Sequence, residues 1–156
     1  MRSLPRRGGL KRCLNSDQGQ TLVETALSIS ILLGFVFGIL VAGMTLYSYN
    51  FVAEAARDGS RYAMVHGSSC SGCIATNASV QTYVKGLAYP GIKSADLTAV
   101  TTWPDSGASC TPSLSPCNNP GNNVMVVVTY QLPWNFPFIS SSTLSLKSTS
   151  EVIIAQ

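Results

Sequence analysis

The sequence predicts an α+β protein: a long amino-terminal transmembrane helix extended outside the membrane, then a small domain with a short helix and a three-stranded antiparallel sheet. Three observations support this prediction. An apolar run of about 25 residues begins at Leu22, a helical pattern follows it directly, and three later segments alternate with a period of two. We expect a leader at residues 1–19, a membrane helix at 20–48, its extension at 49–66 and the external domain at 67–156.

The apolar run from Leu22 to Leu46 accounts for the unusual composition of the chain. Apolar residues make up 46% of the sequence and charged residues only 11%. The only ionisable side chain in the run is Glu24, at its start. A helix of this length crosses a bilayer core of about 30 Å, so we predict a single membrane span.

Charge distribution predicts the orientation of this span. The net charge of +3 comes from the segment before the span, which holds Arg2, Arg6, Arg7, Lys11 and Arg12. Basic residues beside a span stay in the cytoplasm, so the amino terminus is expected inside and the domain outside. Because the positive charge is confined to this leader, we expect no nucleic-acid partner.

The helical pattern continues from Asn50 to Val65, with Glu54/Arg57 and Asp58/Arg61 at i,i+3 spacing. One helix leaving the bilayer explains the whole stretch. An aromatic belt at the membrane interface is predicted where the helix leaves the lipid, at Tyr47, Tyr49 and Phe51.

A stripe of small residues with four-residue spacing lies inside the span, at Gly34, Gly38 and Ala42. Small side chains allow two helices in lipid to approach closely. We therefore predict a helix-packing surface here, although glycine is also common in membrane spans that pack against nothing.

The external domain begins with a glycine-containing turn at residues 67–73. Helical spacing then recurs at Val80, Tyr83, Val84, Leu87 and Ala88, and Pro90-Gly91 ends this short helix. Alternating segments predict three strands, Leu97–Trp103, Val124–Leu132 and Leu144–Ile154. An amphipathic helix on such a sheet buries a modest core.

Four cysteines lie beyond the membrane, at Cys70, Cys73, Cys110 and Cys117. In an oxidising compartment an even number predicts two disulfides, with three connectivities open. Zinc binding and a redox-active Cys70/Cys73 pair remain alternatives, although no thioredoxin-like pattern surrounds Cys70.

Gly19, Gln20 and Glu24 stand between the basic leader and the apolar run. Glycine leaves a backbone accessible to a protease, and a carboxylate near the start of a membrane helix needs a partner. The arrangement resembles the processing site of type IV prepilins and pseudopilins, which a membrane peptidase cuts after the glycine. The resemblance implies cleavage between Gly19 and Gln20, with Glu24 fifth in the mature chain and paired with the new amine of Gln20 in the same or a neighbouring subunit. The alternative without a functional role is that Glu24 lies at the headgroup boundary and only complements the helix dipole.

The string AEAARDGSRYA, Ala53 to Ala63, resembles the segment that follows the membrane helix in the TadE-like family. The resemblance implies a structural or assembly component of a Tad-type pilus in the bacterial inner membrane, with a role in adhesion or secretion. Its implied partners are membrane lipid, a prepilin-type peptidase, other pilin or pseudopilin subunits and Tad assembly proteins.

No enzyme motif competes with this interpretation. His66 is the only histidine and lacks a recognisable nucleophile and acid, and nucleotide, catalytic zinc and calcium signatures are missing from the sequence. We expect no catalytic residue, cofactor, metal or small-molecule substrate. Two alternatives remain: a disulfide-containing binding module, membrane-anchored or secreted after a cut near residues 53–55, and a periplasmic thiol-disulfide protein.

Overall fold

The structure is a computed structural model that describes residues 18–87, 90–106, 117–134 and 142–155. Its elements are helix α1 (Gln18–Val65), helix α2 (Asn77–Gly86) and strands β1 (Leu97–Thr102), β2 (Asn123–Trp134) and β3 (Ser142–Ile153). Short 3-10 turns occur at Ser94–Asp96 and Pro104–Ser106. The α+β class and the order of elements predicted from the sequence are confirmed. The leader before Gln18 lies outside the described residues.

The chain divides into two units, Met1–Gly43 and Met44–Gln156, which we call unit 1 and unit 2. Helix α1 contributes to both, because it runs without interruption from Gln18 to Val65. The described part of unit 1 is the amino-terminal portion of α1, and its side chains are almost all exposed. One helix of the described chain is thus long and apolar enough to cross a membrane, with none of its most apolar window buried in protein.

Unit 2 contains an antiparallel sheet with the strand order β1-β2-β3. Leu97 pairs with Tyr130 across the β1–β2 ladder, and Tyr130 pairs with Leu146 across the β2–β3 ladder. The three strands fall where the alternation predicts them, with ends that differ by one or two residues. Ile154 stands just outside β3 and is buried. Its amide donates a hydrogen bond to the Asn122 carbonyl.

The core of unit 2 lies on one face of this sheet. Side chains of β2 that point to this face are fully buried from Val124 to Val128, and Tyr130 is 2% exposed. Leu132, which continues the predicted face, is half-buried. Helices α1 and α2 cover this face, and each fully buried valine contributes about 1.5–3 kcal/mol relative to exposure.

Helix α2 begins where its sequence provides a complete cap. Thr76 is the N-cap; its hydroxyl accepts from the Ser79 amide, and the Ser79 hydroxyl accepts from the Thr76 amide. This reciprocal pair satisfies two otherwise unpaired donors. Val80 and Val84 face the core, as their spacing predicts. Leu87 is the C-cap, and Ala88 lies outside the described residues.

The predicted aromatic belt is wrong at Phe51. This side chain is 5% exposed and belongs to the core of unit 2, because α1 already packs against α2 and the sheet at this turn. Tyr47 and Tyr49 are about half exposed.

Candidate processing and assembly segment

The proposed cleavage bond lies within α1, because both Gly19 and Gln20 belong to the described helix Gln18–Val65. A side chain built on Gly19 would meet no atom within 4 Å. Gly19 and Gln20 are both exposed.

Glu24 lies one helical turn after Gln20, which places both residues on the same face of α1. Its side chain is exposed and has no hydrogen bond or ion pair within residues 18–43. Neighbouring hydroxyls are satisfied: Thr25 donates to the Thr21 carbonyl at 2.7 Å, and Ser30 to the Ala26 carbonyl at 2.8 Å. Glu24 is thus the charged side chain within the apolar run of α1, and the described part of this run gives it no partner.

The small-residue stripe of α1 forms an open groove of about 480 Å³. Gly34, Gly38 and Ala42 line it together with Ile31, Phe35 and Ile39. A side chain at Gly34 or Gly38 would meet nothing within 4 Å. Packing within the described chain therefore does not require these glycines, and the groove is available to another helix.

Small residues serve a different purpose in the carboxyl-terminal part of α1. Small residues recur there at intervals of about four positions, and all of them are buried. They are Ala55, Ala56, Gly59, Ser60 and Ala63. A Cβ atom on Gly59 would lie 3.0 Å from Val84 Cγ2 and 3.3 Å from Val126 Cγ1. Gly59 therefore lets α1 lie against α2 and β2 at close range. The sequence contained this signal, since residues 55, 59 and 63 share one helix face.

Polar contacts fix the rest of this segment. The Ser60 and Ser150 hydroxyl oxygens are 2.9 Å apart, and the Ala155 amide donates to the Met64 carbonyl. Tyr62 stacks on Tyr83 with ring centroids 4.6 Å apart and on His66 at 4.1 Å. The exposed Arg61 pairs with Asp58 at 3.7 Å, as their spacing predicts. The alanine, glycine and tyrosine positions of the motif thus build the contact between α1 and the domain.

A polar groove beside β3 was not predicted from the sequence. It has a volume of about 450 Å³ and is lined by residues of α1, including Asn50, Glu54 and Arg57, and by Ser148 to Ser150. Within the described residues Glu54 and Arg57 form no ion pair with each other, in contrast to the expected i,i+3 contact. The residues of this groove are far apart in sequence, so only the fold brings them together.

Cys70 and Cys73 form a disulfide in the turn after α1. The turn is also tied to the segment after Cys117, since the Ser68 amide donates to the Asn118 carbonyl at 2.9 Å. Cys117 is buried and disulfide-bonded, and Cys110 lies outside the described residues. In this state Cys70 and Cys73 have no thiolates to offer a zinc ion. Elsewhere in the described residues no three His, Cys, Asp or Glu side chains gather as metal ligands.

Comparison with known proteins gives one match. Residues 19–61 match the model of a family described as TadE-like protein. No curated protein and no solved structure matches the chain. The matched range begins at the glycine before the proposed cleavage bond and includes Glu24, the small-residue groove and Gly59. The family that the sequence motifs resemble is therefore the one whose model matches, and the similarity extends from Gly19 to Arg61.

Proposed function

We propose that this chain is a membrane-anchored, pseudopilin-like component of a Tad-type pilus, matured by a prepilin-type peptidase between Gly19 and Gln20. The family match carries the proposal, because it starts at the proposed cleavage glycine and extends into the contact between α1 and the domain. In this role the chain performs no chemistry of its own. It holds an external domain at the membrane and presents a helix to other subunits.

The arrangement of α1 supports this role. An apolar helix with an open groove and one unpartnered carboxylate suits association with further helices in lipid. Cleavage would leave the amine of Gln20 one turn from Glu24, where it or the amine of a neighbouring subunit pairs with the carboxylate. The basic leader supports a cytoplasmic amino terminus in the bacterial inner membrane, with unit 2 outside.

The proposal is tested first by intact mass and amino-terminal sequencing of the membrane-extracted protein, from cells with and without a prepilin peptidase. We expect the chain to begin at Gln20 only when the peptidase is present. Gly19→Leu should abolish this cleavage, because a branched side chain at the open position obstructs entry of the helix end into a protease cleft.

Gly34→Leu is the matched control for this experiment, because it makes the same substitution at a different glycine of α1. Gly34 lies in the span but far from the proposed bond, so its variant should still mature. A chain that begins at Met1 in peptidase-containing cells, or an unchanged mature mass for the Gly19 variant, would rule out the proposed site.

Filling the groove should weaken association without affecting insertion. We expect Gly34→Leu combined with Gly38→Leu to reduce co-purification of Tad-pilus proteins with the tagged chain by roughly tenfold, since both side chains enter the groove that close helix approach requires. Gly43→Leu is the control, because Gly43 belongs to the same helix but does not line the groove. Equal losses in the control and the double variant would contradict the role of the groove.

Burial in α1 weighs against the secreted alternative. A signal-peptide cut near residues 53–55 would remove Phe51 and Val52, which are 5% and 0% exposed in the core of unit 2. The thiol-disulfide alternative is supported only by the Cys70–Cys73 bridge. That bridge closes the turn that ends α1, and this position equally suits a structural link.

A further inference from the structure

One end of unit 2 is defined by the direction of its elements. Helix α1 and strand β3 run in the same direction, since Ser60 contacts Ser150 and, further along both segments, Met64 contacts Ala155 just after β3. Strand β1 runs the same way, because both outer strands are antiparallel to β2. The start of β1 therefore lies at the end of unit 2 where α1 enters it at Met44. We call this the entry end.

The connection between α2 and β1 is held at the entry end by a hydrogen bond to α1. The Tyr47 hydroxyl donates to the Pro90 carbonyl at 3.1 Å. One turn further along α1, Phe51 shares a small cavity of about 90 Å³ with Lys85, Ile92 and Leu97. The described part of the connection, residues 90–96, is mostly exposed and includes Gly91 with a φ of 85°.

Charge is distributed unevenly between the two ends of unit 2. Lys85 and Lys93 flank the connection at the entry end, with Asp96 as the carboxylate beside them. At the opposite end the Asp105 carboxylate accepts a hydrogen bond from the Asn123 amide. Glu151 lies there too, opposite Met125 in the β2–β3 ladder. The described entry end is thus the more basic end, and it also presents the half-exposed ring of Tyr47.

We propose that the entry end of unit 2 is a docking surface for anionic lipid headgroups of the membrane that α1 crosses. The inference rests on the membrane anchoring in the proposed function. Two lysines and an interfacial tyrosine match the chemistry of an anionic bilayer surface, and each lysine strengthens such contact about fivefold. The hydrogen bond from Tyr47 fixes the connection to the helix turn that enters unit 2. Lipid contact at Lys85 and Lys93 therefore restrains the domain as well as the loop.

The test is hydrogen exchange measured by mass spectrometry on the full chain in two kinds of vesicle, pure phosphatidylcholine and phosphatidylcholine with phosphatidylglycerol. We expect amide exchange in residues 90–96 to slow at least about fivefold when phosphatidylglycerol is present. Exchange in residues 118–122, in the turn before β2 at the opposite end, should not change. High salt should remove the difference, because exposed charges are screened.

Lys85→Gln combined with Lys93→Gln should abolish the slowing. Arg57→Gln combined with Arg61→Gln removes the same charge from the exposed side of α1 and should keep it. If the chain resists alkaline carbonate extraction but phosphatidylglycerol does not slow amide exchange in residues 90–96, the docking surface alone is overturned. The same holds if both double variants lose the slowing equally. A chain released by carbonate from both vesicles would overturn the anchor and, with it, this surface.

Discussion

Gly59→Leu is expected to destabilise unit 2 by about 3 kcal/mol, the upper end of the cost of overpacking a core. The reason is the distance of 3.0 Å between a Cβ atom at this position and Val84 Cγ2. A leucine adds three further carbon atoms where α1, α2 and β2 already meet. Intrinsic fluorescence during thermal unfolding reports the change, because Trp103 is buried, and the midpoint should fall by roughly 10 °C.

Two further variants separate packing from helix propensity. Gly86→Leu places the same side chain at the end of α2, where a Cβ meets nothing within 4 Å, and should leave the midpoint almost unchanged. Gly59→Ala combines mild crowding with a gain in helix propensity of about 1 kcal/mol, so its net effect should be small. A Gly59→Leu protein as stable as the wild type would show that α1 does not pack closely on the domain.

Glu24→Ala is expected to reduce pilus assembly at least about tenfold while the protein stays in the membrane. A charge-assisted hydrogen bond between the carboxylate and an amine is strong in lipid, and the loss of about 1.4 kcal/mol already changes an equilibrium tenfold. Insertion should not suffer, because alanine makes the span more apolar. Pilus assembly is measured by counting pili per cell in electron micrographs. Retention in the membrane is measured by carbonate extraction.

Glu54→Ala is the matched control, since Glu54 is an exposed carboxylate of the same helix outside the apolar run. It should assemble normally. Glu24→Gln tests whether charge or shape matters and should resemble the alanine variant. Normal piliation of Glu24→Ala cells would remove the proposed role and leave Glu24 as a residue that only complements the helix dipole.

The secondary structure was largely predictable because each element has a strong local pattern. Alternation from Val124 to Leu132 reflects a strand with one buried face, and the spacing of Val80 and Val84 reflects a helix lying on it. Helix α1 continues past Phe51 without a change in its backbone. Phe51 was misplaced for that reason: an aromatic residue near the end of a span suits both an interface and a core, and only tertiary packing decides between them.

Contacts between distant residues were less predictable. Cys70–Cys73 was one of several allowed pairings, and the geometry of the turn after Val65 selects it. The groove beside Ser148 depends on the direction of β3 relative to α1, which no local pattern contains. Gly59 is an intermediate case, since the sequence shows a small residue on a helix face but not the two valines that approach it.

The role of α1 in the core has a consequence for biosynthesis. Strand β2 is the centre of the sheet. Strand β3 follows it and contributes the contact of Ser150 with Ser60, and Ala155, just after β3, contacts Met64. The carboxyl half of α1 is therefore synthesised early but completes its contacts only after β3 and the residues that follow it have been synthesised. Until then the buried face of α1 lacks these partners. Unit 2 is therefore expected to fold only once β3 has left the ribosome.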